Sequence, residues 1–110
     1  MPRIDGCDVY RVVMPRGRRP ESVLVRLSGG DAVGWGEMPV PAGPGDLSRA
    51  WADIEERMGP ALVGLELDRP EDVSAAADFG AREAAAAIDT ACWDLWCRAR
   101  GMPLAHALGG

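Results

Sequence analysis

The chain has 110 residues, of which 47% are apolar, and a formal charge of -5. This is enough for one domain with a modest core and too little for two. The acidic balance argues against nucleic acid or an anionic membrane surface as partner, since both select basic patches.

All 12 cationic residues are arginine, so no lysine base or Schiff-base lysine is available. The cysteines, Cys7, Cys92 and Cys97, are odd in number and form no C-x-x-C. This spacing predicts buried free thiols in a reducing, cytoplasmic setting rather than a disulfide framework or zinc site. The N-terminus has no apolar signal-peptide core, and no apolar run approaches the ~20 residues of a membrane span.

Ile4 to Met14 is rich in β-formers and reads as a first strand, ended by Pro15. Arg16 to Pro20 is a charged loop with turn chemistry. Ser22 to Ser28 alternates, with Val23, Val25 and Leu27 on one face and Leu24, Arg26 and Ser28 on the other. Gly29-Gly30-Asp31 signals a hairpin, and Ala32 to Glu37 returns with Val33, Trp35 and Glu37 opposite Gly34 and Gly36. Three antiparallel strands in a meander are expected.

Met38 to Gly45 holds three prolines and two glycines and must be a loop. Asp46 is placed to cap a helix from Leu47 to Met58, with Leu47, Trp51, Ile54 and Met58 at helical spacing and Gly59-Pro60 as its stop. Pro70-Glu71-Asp72 opens another helix, expected to run to about Asp78. The strongest element is Ala81 to Arg100, where Ala84, Ala87, Ile88, Ala91, Cys92, Leu95, Trp96 and Ala99 form one wide apolar stripe. Gly101 supplies its C-cap and Pro103 forbids continuation. The fold class is α+β: a three-stranded antiparallel meander followed by a small helical bundle.

Gly34-Trp35-Gly36-Glu37 leaves one strand face bare, with room for another backbone or a ligand to approach. Glu37 opens the Pro-rich loop; on spacing alone it reads as a solvated carboxylate. Arg16, Arg18 and Arg19 form the one cationic cluster, suited to a carboxylate ligand or to a solvated turn. His106 is the sole histidine and makes neither a metal site nor a triad by itself. Asp89 and Asp94 lie on different faces of the long helix, where an Asp typically hydrogen-bonds a neighbouring segment. Trp93 and Trp96 read as core or interface anchors. No catalytic residue and no metal ligand is assigned.

Two segments carry a resemblance. Gly34-Trp-Gly-Glu-Met-Pro39 closes the meander, and Ala87-Ile-Asp-Thr-Ala-Cys-Trp-Asp-Leu95 leads into Gly101-Met-Pro-Leu-Ala-His-Ala-Leu-Gly-Gly110. In order and spacing this resembles the N-terminal capping domain of the enolase superfamily, in its mandelate racemase and muconate lactonising branch. The resemblance implies that residues 1–110 are one capping domain preceding a TIM barrel. That barrel would carry the acid/base residues and the carboxylates that hold Mg²⁺, and would abstract a proton α to a carboxylate. The cap would close the barrel mouth with two loops, here Met14 to Ser22 and Met38 to Gly45. This makes Arg16, Arg18, Arg19, Glu37, Met38 and Val40 candidate neighbours of a small carboxylate substrate. The expected partners are the barrel, that substrate and further copies of the chain. A stand-alone binding or assembly module, or a truncated inactive product, is the alternative.

Overall fold

The structure is a computed structural model that describes residues 3–13, 21–38, 46–80 and 82–102. Its strands are β1 (Gly6–Val13), β2 (Glu21–Gly29) and β3 (Ala32–Glu37), paired antiparallel in the order β1-β2-β3. The register places Val25 between Val9 and Gly36, and Leu27 between Cys7 and Gly34. One sheet face therefore presents Val23, Val25 and Leu27, all fully buried, to the helices. The alternation expected from the sequence is the one observed, because side chains on a strand point to opposite faces in turn.

The first strand begins at Gly6, later than expected. Ile4 is 1% exposed and belongs instead to a separate crossing, where its N–H donates to the Leu65 carbonyl and its carbonyl accepts from Gly64. Between β2 and β3, Gly30 takes φ +59, the left-handed conformation that a tight turn asks of glycine, and its N–H donates to Asp5 Oδ2 at 3.0 Å.

The helices are α1 (Asp46–Asp53), α2 (Gly59–Leu62), α3 (Pro70–Ala76) and α4 (Arg82–Ala99). Here one expectation fails. Gly59-Pro60 does not stop the first helix: a π-helical turn, Ile54–Met58, joins α1 to α2, and Gly59 stays helical at φ -58, ψ -52. The Gly59 N–H reaches back to the Ile54 carbonyl. The widened turn fits the proline, which lacks an N–H and would crowd the carbonyl four residues back in a regular helix. A side chain at position 59 would also meet Cys7 Sγ at 3.1 Å, so the glycine is there for contact with β1 rather than to end the helix. Asp46 is the first residue of α1, and its side chain and that of Leu47 lie outside what is described.

Along α4, Ala84, Ala87, Ile88, Ala91, Cys92 and Leu95 are fully buried, and Trp96 packs against them from the margin. Ala99, expected in the stripe, is exposed, because the last turn of the helix lies beside the hairpin turn rather than over the sheet. Gly101 (φ +66) closes α4, and the Met102 N–H donates to the Cys97 carbonyl at 2.8 Å, a Schellman cap.

Candidate functional site

The antiparallel register sends two connections out of one end of the sheet. β1 and β2 pair as far as Val13 opposite Glu21, so residues 14–20 join them at that end. β3 leaves the sheet there too: Glu37 lies opposite Leu24, and the Met38 N–H donates to the Val23 carbonyl at 2.8 Å. The described residues that flank the two stretches, Val13 and Glu21 for 14–20 and Met38 for 39–45, thus lie at one end of the sheet. Arg16, Arg18, Arg19 and Val40 fall on these stretches and lie outside the described residues.

Two candidates are described. Glu37 is exposed and accepts a hydrogen bond from Ser22 Oγ at 2.6 Å. This bond ties the first residues of β2 to the last of β3 at the loop end. Met38 is 4% exposed and belongs to the core. Its side chain anchors the start of the second loop instead of projecting from it.

The glycines of the G-x-G-E segment are filled by a helix, not by a ligand. A Cβ on Gly34 would sit 2.3 Å from the Leu95 amide nitrogen, and one on Gly36 would sit 1.9 Å from the Ala87 carbonyl oxygen. The α4 backbone thus lies directly on β3, which explains the run of alanines facing it. Trp35, between the two glycines, donates its N–H to Asp94 Oδ2 at 2.8 Å. Strand β3 is an edge strand, and its outward N–H groups need partners. Asp94 supplies one, and Arg98 Nε holds both carboxylate oxygens at 3.1 Å. Asp94 is thus the hydrogen-bonder expected of an acid on this helix, whereas Asp89 is exposed. Trp96 donates its indole N–H to the Asp68 carbonyl at 3.0 Å, and Arg100 stacks over its ring.

The thiols are built for inertness. Burial, with Asp8 adding to it, pushes the Cys7 thiol up to about 11; burial and then Asp89 push Cys92 up to about 12. A thiol held protonated is a poor nucleophile and a poor metal ligand. Among the described residues, no group of three or more His, Cys, Asp or Glu is placed to hold a metal ion. The Mg²⁺ that the family implies therefore finds no donor set in the described part of this chain. No described helix is long and apolar enough to cross a membrane. At the other end of the sheet lies an open cleft of about 590 Å³, lined by Asp31, Val33, Trp35, Arg98 and Met102, that no sequence pattern announces. It brings together a hairpin turn and a helix terminus that no spacing rule connects.

A glycine-faced edge strand locked onto a long helix, at the edge of a three-stranded antiparallel meander, defines an α+β domain. The chain belongs to the mandelate racemase / muconate lactonizing enzyme family, whose N-terminal domain matches residues 12–109. It is 32% identical over 102 residues to o-succinylbenzoate synthase of Geobacillus stearothermophilus, covering 84% of this chain and 27% of that protein. It is 32% identical over 99 residues to muconate cycloisomerase 1 of Rhodococcus opacus, covering 84% of this chain and 26% of that protein. The fold superposes on 2-chloromuconate cycloisomerase from Rhodococcus opacus 1CP with a TM-score of 0.87 at 30% identity, covering 99% of this chain and 33% of that one. The muconate lactonizing enzyme from Pseudomonas putida gives 0.85 at 26% identity, covering 98% of this chain and 32% of that one. The chain thus spans about a quarter to a third of the length of these relatives.

Proposed function

We propose that this chain is the lid of a Mg²⁺-dependent enzyme of this family, a racemase, epimerase, cycloisomerase or dehydratase acting on a carboxylate. The observation that carries the reading is the common origin of the two loops at one end of a stiff sheet. A lid needs adjustable segments held side by side on a scaffold that does not move with them. Its own work would be to exclude water and to recognise the part of the substrate away from the reacting carbon. The metal and the acid/base residues would belong to a barrel domain of the kind the resemblance implies, in the part of the relatives that this chain does not span.

Muconate and o-succinylbenzoate, in the names of the relatives, are both dicarboxylates. Arg16, Arg18 and Arg19 on the first loop suit a second carboxylate, since guanidinium forks bind carboxylates in bidentate fashion. The test is Arg18→Ala and Arg19→Ala in a polypeptide that joins this lid to a family barrel. A loss of kcat/KM of tenfold or more, larger for dicarboxylates than for monocarboxylates and without loss of folding, is expected. Unchanged kcat/KM on every carboxylate tried would make the loop a solvated turn.

A further inference from the structure

We draw no further inference here: the strongest candidate, the open cleft between the β2–β3 turn and the last turn of α4, lined by Asp31, Val33, Trp35, Arg98 and Met102, carries nothing, because Arg98 is already held by Asp94 and nothing in the structure shows what covers it.

Discussion

Replacing Gly36 by alanine adds one methyl group and should be among the most damaging small changes in this chain. That methyl would sit 1.9 Å from the Ala87 carbonyl oxygen and 2.9 Å from its carbon, where ordinary contact begins at 3.4 Å. Both obstacles are backbone, so no rotamer change relieves them; α4 must lift from β3 by about 1.5 Å. The shift would loosen Ala87, Ile88 and Ala91, all fully buried, and strain the Trp35–Asp94 hydrogen bond. Overpacking in a core usually costs about 1–3 kcal/mol, and a clash that moves a whole helix belongs at or above the top of that range. Gly6→Ala is the matched control, because its methyl meets only Ser28 Oγ at 3.1 Å, the end of a rotatable side chain. Urea unfolding followed by far-UV circular dichroism compares the two. Gly36→Ala should lose at least about 3 kcal/mol and Gly6→Ala less than about 1. Equal losses would refute the claim that backbone contact between α4 and β3 sets the requirement for glycine.

Further outcomes follow from the same contacts. Asp94→Ala should cost about 1–3 kcal/mol by stranding the Trp35 N–H, and Asp94→Asn less, since an amide oxygen still accepts; equal costs measured by denaturation would mean that the hydrogen bond is not the source. Trp96→Ala should cost about 2–4 kcal/mol, because the indole packs at the core margin and its N–H is bonded to Asp68; a cost near zero would break that account. Folding raises the Cys7 and Cys92 thiols to about 11 and about 12, so the fold favours their protonated forms. Stability from them should hold below about pH 9 and fall by about 1.4 kcal/mol per thiol for each pH unit above it, until each native thiol ionises. Denaturation midpoints that stay flat from pH 8 to pH 10.5, or native thiols that react promptly with a disulfide reagent at pH 8, would contradict this.

How much of this was legible in the residues depends on the range of the interaction. Period-two alternation located β2 and β3 with their faces, because each strand buries one side only. The glycine pair was legible as a place of close approach, but its occupant was not, since Ala87 and Leu95 are more than fifty residues away in sequence. The failure at Gly59-Pro60 has the same origin. Locally the pair is a stop; the π turn and the packing of Gly59 on Cys7 make it a continuation, and only the tertiary contact reveals this. Met38 lies outside strand and helix, as the prolines that follow it imply, but its burial depends on the sheet beneath, which no local pattern shows. The cleft beside Arg98 joins residues 31 and 98, which no local pattern links.

The division between stiff and variable parts bears directly on the lid reading. Most of the described contacts that fix β3 act on its backbone or its inner face: two glycines under a helix, one N–H held by Asp94, one N–H of Met38 held by Val23; on the outer face Ser22 Oγ donates to Glu37. Each of these contacts lies within residues 22–38 and 87–95. We expect substitutions in 14–20 and 39–45 to disturb this scaffold little, whereas a single methyl at Gly36 should be felt throughout it. On the lid reading, a domain arranged in this way retains one fold across enzymes with different substrates while its loops vary. The same separation predicts that loop exchanges with a relative would alter specificity at little cost in stability, whereas exchanging α4 without β3 would cost stability first.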